Sequence, residues 1–442
     1  VAPIPTGDVT IYSTTNSLTR DLTRDAVNFS LKDNLAPTSI TLNPTEQYQT
    51  MDGFGVAITG ATCFNLLQMK PEDRHAFLTE TFSDDKGFGF SYIRISIGCS
   101  DFSLSEYTCC DKKGIENFAL QSEEKEYILP ILKEILDINP SIKIIAAPWT
   151  CPTWMKVKSL TDLTPFESWT NGQLNPAYYQ DYATYFVKWV QAFNAEGIDI
   201  YAVTPQNEPL NRGNSASLYM SWEEQRDFVK TALGPKFKTA GLATKIYAYD
   251  HNYDYSDIET EKNYPGKMYE DPAASQYLAG AAYHNYGGNR EELLNMHKAY
   301  PEKELLFTET SIGTWNSGRD LSKRLLEDMK EVALGTINNW CKGVIVWNLM
   351  LDNDRAPNRE GGCQTCYGAV DISNSDYKTI IRNSHYYIIA HLSSVVKPGA
   401  LRIGATGYAD SNIMYSAFEN PDGTYAFVLM NNNEKTKRIT FS

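Results

Sequence analysis

The sequence predicts an α/β protein, a (β/α)8 TIM barrel with an attached β-sandwich. Three observations lead to this prediction. Short apolar strands alternate with amphipathic helices from residue 46 to residue 396. Eight strand–helix units fit into this stretch, which is the number and the size of a TIM barrel. Residues 1–45 and 397–442 contain only short β-type segments, so we expect both ends to supply strands to one β-sandwich.

The barrel strands are predicted from short runs rich in β-branched and apolar residues. Parallel strands separated by helices imply right-handed crossovers. None of the turns after these strands carries a G-x-G-x-x-G phosphate loop, which disfavours an open nucleotide-binding sheet. The predicted strands are residues 53–59, 91–97, 142–148, 200–206, 245–250, 281–286, 304–310 and 343–349.

The helices between them are predicted from apolar residues that recur every three or four positions. Ile128, Ile131, Leu132 and Ile135 are one such series. This spacing places the apolar side chains on one helix face, where they can pack on the barrel. The clearest predicted helices are residues 125–136, 178–195, 222–233, 321–338 and 385–395.

The two ends of the chain carry strand signals without helical periodicity. Asn-Pro-Asp-Gly at residues 420–423 is a hairpin turn signal, with glycine where a positive φ is required. The predicted division is 1–45 for N-terminal strands, 46–396 for the barrel and 397–442 for C-terminal strands. The predicted terminal strands are residues 9–12, 39–42, 401–403, 413–418, 425–430 and 438–441.

Composition narrows the class of ligand. The formal net charge of −14 argues against nucleic acid, whose binding depends on Lys and Arg. Aromatic residues make up 12% of the chain, which favours a carbohydrate ligand. No apolar run reaches the ~18 residues of a membrane span. The chain begins at Val1 rather than Met, and we expect a secreted, periplasmic or cell-surface protein whose signal peptide has been removed.

The eight cysteines do not form a zinc signature. A zinc site would require two Cys pairs or neighbouring His ligands, and neither pattern occurs. Cys363 and Cys366 are separated by two residues, and this spacing is compatible with a local disulfide or with reduced thiols. The sequence therefore predicts no metal and no cofactor.

Two glutamates follow predicted strands. Glu208 lies in Thr-Pro-Gln-Asn-Glu-Pro at residues 204–209, and Glu309 ends the strand that begins at Glu304. A lone glutamate is most often an exposed loop residue or a helix cap. Two carboxylates at the carboxyl ends of barrel strands, however, are what hydrolysis of a glycosidic bond requires.

Other strand ends carry groups suited to a sugar. Tryptophan offers a flat apolar surface, while Asp and Asn pair with neighbouring hydroxyls. For single residues the structural alternatives remain open: a buried ion pair for Arg94, a loop cap for Asp101, and core packing for Tyr286 and Trp347. The candidate substrate-binding residues are Arg94, Asp101, Trp149, Asn207, His284, Tyr286 and Trp347.

These motifs together resemble glycoside hydrolase family 30. The resemblance implies that Glu208 is the general acid/base and Glu309 the nucleophile. It also implies that Asp101, Trp149, Asn207, Tyr286 and Trp347 line the subsite of the cleaved sugar, with Arg94 in support. The matching segments are residues 53–59, 89–94, 100–103, 147–154, 204–209, 307–309 and 397–403.

The resemblance further implies retaining hydrolysis of β-glucosidic bonds by double displacement. The two carboxyl groups should then lie about 5–5.5 Å apart, with Glu309 ionised and the pKa of Glu208 raised. Asn207 should hydrogen-bond the sugar 2-hydroxyl. The resemblance also implies at least one further strand beyond Ser442, where this sequence ends, so we expect the C-terminal end to be trimmed.

Departures from the family affect the substrate rather than the chemistry. Val56 and Gly60 replace the Gly and Asp of the lysosomal members, and residues 361–368 look more similar to the β-1,6-glucanase branch. We therefore favour β-1,6-glucan as the substrate, with glucosylceramide as the alternative. A glycan-binding protein without activity is a more remote alternative, since a binder has no use for a proton donor facing a nucleophile. The sequence does not predict the oligomeric state.

Overall fold

The computed structural model describes residues 5–31, 37–255 and 257–442. Its centre is a closed barrel of eight parallel strands that pair in chain order, with the last strand pairing with the first. The predicted TIM barrel is therefore confirmed. The barrel strands are β1 (Gly53–Ala57), β2 (Tyr92–Ser96), β3 (Lys143–Ala147), β4 (Ala202–Val203), β5 (Lys245–Asn252), β6 (Gly280–His284), β7 (Glu304–Glu309) and β8 (Cys341–Asn348).

Helices surround the barrel, and each of the five predicted helices is present. Three of these continue from or into π-helical turns, at Glu124–Ile128, Val229–Leu233 and Met329–Leu334. The first two turns are followed within two residues by Pro130 and Pro235, whose missing N–H interrupts the α-helical hydrogen bonds. The α-helices are Gly60–Gln68, Pro71–Phe82, Leu129–Ile138, Tyr179–Ala195, Trp222–Phe228, Gly234–Thr239, Tyr264–Tyr269, Pro272–Ser275, Glu291–Ala299, Leu321–Asp328, Gly335–Ile337 and Ser384–Ser393.

The lower barrel interior is filled by side chains. Because alternate residues of a strand point to opposite faces, one residue per strand reaches the same interior layer. Gly55 and Gly280 let neighbouring strands approach closely, because a Cβ at these positions would lie 1.6 Å and 1.9 Å from backbone oxygens of Tyr92 and Glu304. The buried layer consists of Tyr92, Ile145, Ala202, Tyr247, Ala282, Leu306 and Ile345.

A five-stranded sheet lies beside the barrel and combines both ends of the chain, as predicted. Its strands are Ser39–Thr50, Leu401–Gly407, Ile413–Glu419, Tyr425–Asn431 and Thr440–Phe441.

The first predicted strand, residues 9–12, does not join this sheet. Val9–Ser13 pairs with Thr23–Val27 in a separate hairpin. His391, on the last barrel helix, forms a 2.8 Å hydrogen bond with Thr14, and Leu22 is buried in the main apolar core. These contacts hold the hairpin against the barrel rather than against the C-terminal strands.

Short strands in the loops complete the fold. Lys156–Ser159, Asp162–Pro165 and Gln173–Leu174 form a small sheet after β3. Ile312–Gly313 pairs with Cys366–Tyr367, and Met350–Asp352, Val370–Ile372 and Ile380–Arg382 form a third group. Over the described ranges, no helix has the length and apolar character needed to cross a membrane.

Candidate active site

The barrel geometry brings polar side chains together at one end. Along each strand, the residue two positions after the apolar layer also points inward. These residues lie at the carboxyl ends of the strands, where TIM barrels carry their active sites. The positions so placed are Arg94 on β2, Thr204 after β4, His284 on β6, Thr308 on β7 and Trp347 on β8.

Asp250 joins them through an irregularity in β5. The register between β5 and β6 shifts between Tyr249 and His251, and both Tyr249 and Asp250 have a positive φ, of 76° and 67°. A bulge of this kind turns a side chain to the other face of a strand. Regular alternation along β5 would place Tyr249 inside, so the residue pattern did not indicate Asp250 as a site residue. An Asp-His pair at the end of a strand was the available signal.

Asp250 is fully buried and is surrounded by donors. Its carboxylate accepts hydrogen bonds from Arg94 and His284 Nε2, each at 2.8 Å, and from Thr204 and Thr308, each at 2.7 Å. Burial opposes its charge, but Arg94 and His284 hold the pKa of Asp250 well below its usual range. Asp250 is therefore a fixed negative charge beneath the site.

Arg94 connects this charge to the two strands that carry the glutamates. Its guanidinium donates to Asp250, to Glu309 Oε1 and to Asn207 Oδ1, each at 2.8 Å. Burial disfavours its charge, but Asp250 and Glu309 raise the pKa of Arg94 above its ordinary value. The two interpretations of Arg94, as ion-pair partner and as support of the site, are thus compatible.

Glu208 and Glu309 face each other at the barrel mouth. A carboxylate oxygen of each, together with a ring nitrogen of His284, lies within 4.8 Å of the others. Glu309 Oε2 accepts a 2.9 Å hydrogen bond from Tyr286. Glu208 accepts from Asn211 Nδ2 at 2.8 Å, and its Oε1 is 3.2 Å from His284 Nδ1. This proximity agrees with the spacing of retaining enzymes and is shorter than the ~6.5 Å minimum of inverting ones.

The backbone of Glu208 is also unusual. Its φ is 43°, a conformation uncommon for residues other than glycine, and its N–H donates to the Asp250 carbonyl at 3.0 Å. Pro209 follows, and the Asn211 N–H closes a turn onto the Glu208 carbonyl at 2.9 Å. The turn fixes the carboxylate on the rim of the barrel.

The protonation of the site differs from the expectation for Glu208. Burial would raise its pKa, but the hydrogen bond with His284 lowers the pKa of Glu208 to about 2. Burial would lower the pKa of His284, but Glu309 and Asp250 raise it to about 9. Burial raises the pKa of Glu309, while His284 and Arg94 oppose this effect. The proton between Glu208 and His284 therefore resides on His284.

A cavity of about 290 Å³ opens in front of the two glutamates. Trp347 lines it, whereas Trp149 does not: Trp149 is 1% exposed and stacks behind Trp347, with the ring centroids 5.3 Å apart. Both tryptophans were expected to line the subsite, but only Trp347 lines the cavity, and Trp149 packs against it. The lining residues are Asp101, Glu208, Asn211, Asn214, His251, Asn252, Tyr255, Tyr286, Glu309, Ser311, Trp315, Trp347, Cys363 and Cys366.

The other predicted residues take two kinds of position. Asp101 lines the cavity, and burial together with the charges of Glu309 and Glu208 raises its pKa to about 7. Arg94, Asn207 and His284 are not among the lining residues, so the expected place of Asn207 in the subsite wall is not observed. Arg94 and His284 contact the glutamates, and Asn207 accepts a hydrogen bond from Arg94.

The structure also decides the state left open for two cysteines and reveals lining residues that sequence reasoning missed. Cys363 and Cys366 form a disulfide at the cavity. Asn211 and Trp315 were missed because they lie in loops beyond the strand ends, where no periodicity indicates direction. Their positions three and six residues after a catalytic candidate were the only signal.

The positive charges of Arg94 and His284 disfavour a metal ion at this site. Glu208, His284 and Glu309 are close enough to share an ion. However, Arg94 already neutralises Glu309, and the raised pKa of His284 favours its cationic form. The donor set fits proton transfer better than cation binding.

Comparison with known proteins agrees with this geometry. The profile of the glycosyl hydrolase family 30 TIM-barrel domain matches residues 51–396, and that of the family's β-sandwich domain matches residues 399–442. A solved endo-β1,6-glucanase is 86% identical, with a TM-score of 0.98 over 99% of this chain and 95% of its own.

Two curated relatives are more distant. An endo-1,6-β-D-glucanase of Trichoderma harzianum is 32% identical over 87% of this chain and 78% of its own. A putative glucosylceramidase of Caenorhabditis elegans is 28% identical over 98% of this chain and 83% of its own. The predicted enzyme class is confirmed, and this chain belongs to glycosyl hydrolase family 30.

Proposed function

We propose that this protein is a retaining endo-β-1,6-glucanase with Glu309 as nucleophile and Glu208 as general acid/base. The observation that carries the proposal is the pair of carboxylates within 4.8 Å of each other at the mouth of the barrel. At this separation one carboxylate can attack the anomeric carbon while the other reaches the leaving oxygen.

In the first step a Glu309 oxygen bonds to the anomeric carbon as the glycosidic C–O bond breaks. The leaving oxygen receives a proton from Glu208. Arg94 and Tyr286 hold the Glu309 carboxylate in position through hydrogen bonds of 2.8 Å and 2.9 Å. In the second step water attacks the anomeric carbon, the bond to Glu309 breaks, and the water proton passes to Glu208.

His284 accounts for the proton that Glu208 needs. Nε2 faces Asp250, which is held ionised and can only accept, so Nε2 carries a proton. Nδ1 faces Glu208, and a second proton lies between these two groups. It rests on Nδ1 before the reaction and passes through Glu208 to the leaving oxygen. Nδ1 then carries no proton and donates no hydrogen bond to Glu208. Glu208 is therefore a stronger base in the second step.

The choice of β-1,6-glucan rests on similarity to endo-1,6-glucanases, at 86% and 32% identity. The 28% identical putative glucosylceramidase supports glucosylceramide as the second candidate. Product analysis on β-1,6-, β-1,3- and β-1,4-glucans and on glucosylceramide tests both. We expect internal cleavage of β-1,6-glucan; exclusive turnover of glucosylceramide would reverse the assignment.

We also propose that the protein works outside the cytoplasm. The Cys363–Cys366 disulfide supports this, since disulfides persist in oxidising compartments. Fractionation of cells that produce the natural protein tests the location, and recovery solely in the cytoplasm would contradict it.

A further inference from the structure

Trp315 is the exposed tryptophan of the cavity. Its side chain is 53% exposed, whereas Trp347 is 5% exposed. Among the described residues, every other tryptophan is buried or half-buried. An indole left open to solvent beside a binding cavity offers a flat apolar face that suits a sugar ring, and tryptophan is enriched at such contact surfaces.

The ring of Trp315 packs closely against the backbone of Gly313. Trp315 lies in a short helical turn, Thr314–Asn316, just after the strand Ile312–Gly313. A Cβ at Gly313 would lie 1.8 Å from Cζ3 of the Trp315 ring and 2.5 Å from the Thr365 carbonyl oxygen. The ring therefore lies directly on the glycine backbone, and a side chain at this position would displace it.

The disulfide loop pairs with the same segment. Gly313 pairs with Cys366 and Ile312 pairs with Tyr367 in an antiparallel ladder. The Thr314 N–H donates to the Thr365 carbonyl at 3.0 Å. The disulfide Cys363–Cys366 closes the loop whose backbone makes these bonds.

We propose that Trp315 is a sugar-binding platform for a glucose unit next to the one being cleaved, and that the Cys363–Cys366 disulfide positions it. This rests on the proposed function and extends it, because an endo-acting enzyme must hold several units of the chain. Trp347 and Asp101 then serve the cleaved sugar, while Trp315 serves a neighbour.

The test measures binding to β-1,6-linked glucotetraose by calorimetry in an inactive Glu309→Gln background. Adding Trp315→Ala should weaken the affinity about three- to tenfold, the range of an aromatic contact. Trp315→Phe should recover most of the loss. Gly313→Ala, which leaves the indole in the chain but displaces it, should weaken binding as Trp315→Ala does. Tyr425→Ala, which removes another exposed aromatic (52%) from the C-terminal sheet, is the matched control and should have no effect.

A second readout separates a platform from a general structural role. Inhibition by deoxynojirimycin, a single-sugar analogue, is measured with Glu309 intact. Its inhibition constant should change less than twofold in Trp315→Ala. A parallel loss for both ligands, or no loss for the tetraose, would overturn the platform. If the Glu309→Gln parent itself binds no β-1,6-glucotetraose, the proposed substrate is wrong, and so is the occupant assigned to Trp315.

The positioning role of the disulfide is tested by a double-mutant cycle. Cys363→Ser with Cys366→Ser should weaken tetraose binding about as much as Trp315→Ala does, and should add little when Trp315 is already Ala. Independent, additive effects would show that the disulfide does not act through Trp315.

Discussion

Glu208 and Glu309 have the same side chain but different surroundings. Glu309 is bonded to Arg94, a permanent cation, and to the Tyr286 hydroxyl. Glu208 faces His284, whose charge changes with its proton. A carboxylate beside a fixed cation suits a nucleophile, whereas one beside a titrating ring suits a proton carrier.

Removing each glutamate should therefore give products of opposite configuration. Glu208→Ala still forms the glycosyl-enzyme from a dinitrophenyl β-glucoside, whose leaving group needs no proton, and azide then gives the β-azide. Glu309→Ala has no nucleophile, so azide attacks directly and gives the α-azide. Both variants should lose about 10³-fold in kcat on glucan. NMR of the azide products checks the assignment. Reversed configurations would exchange the two roles.

His284 should control the alkaline limit of activity. The active form needs the proton shared by His284 and Glu208, and this proton is lost as pH rises through the His284 pKa of about 9. In His284→Gln the proton must reside on Glu208 alone. The alkaline limb of kcat/KM should then move to lower pH by roughly one to three units. A pH profile measures the shift, and an unchanged limb would place the proton elsewhere.

At the scale of elements, regular geometry was predictable and its interruptions were not. The eight strands follow from apolar runs, and the placement of Glu208, Glu309, Arg94 and Tyr286 follows from strand ends. Asp250 depends on a bulge that the residue pattern does not reveal. Trp315 depends on the pairing of two loops that are 53 residues apart at Gly313 and Cys366, and such pairing leaves no local signal.

The bulge in β5 yields a prediction about stability. Asp250→Asn retains a residue that tolerates a positive φ, so the backbone should persist. It removes the buried carboxylate that Arg94 and His284 share. We expect a loss of about 3 kcal/mol in the free energy of unfolding, measured with urea.

The same variant should change the pH profile. Without the Asp250 charge the pKa of His284 should fall, and the alkaline limb should move to lower pH as in His284→Gln. Asp199→Asn, the same change at an exposed residue just before β4, is the control. Unchanged stability and an unchanged limb would mean that Asp250 is not the charge that sets the site.

At the scale of the whole molecule, the barrel and the five-stranded sheet are joined by buried polar contacts far from the site. Gln49 on the strand Ser39–Thr50 donates to the carbonyls of Ile337 and Cys341 at 2.7 Å and 2.9 Å. Its side-chain oxygen accepts from Arg402 Nε at 2.7 Å. Cys341 is the first residue of β8, so this junction lies at the end of the barrel opposite the glutamates.

Gln49→Leu should therefore lower the free energy of unfolding without changing catalysis. The substitution keeps the side chain large and leaves two carbonyls and the Arg402 N–H without partners, at a cost of about 2–4 kcal/mol in the free energy of unfolding. Gln47→Leu, on the exposed part of the same strand, is the matched control and should stay within about 0.5 kcal/mol. Urea unfolding gives both values.

At 25 °C the folded Gln49→Leu protein should retain its kcat/KM on glucan, because the junction and the site lie at opposite ends of β8. A fall in kcat/KM at unchanged stability would mean that the sheet acts on the site through the barrel rather than only supporting it.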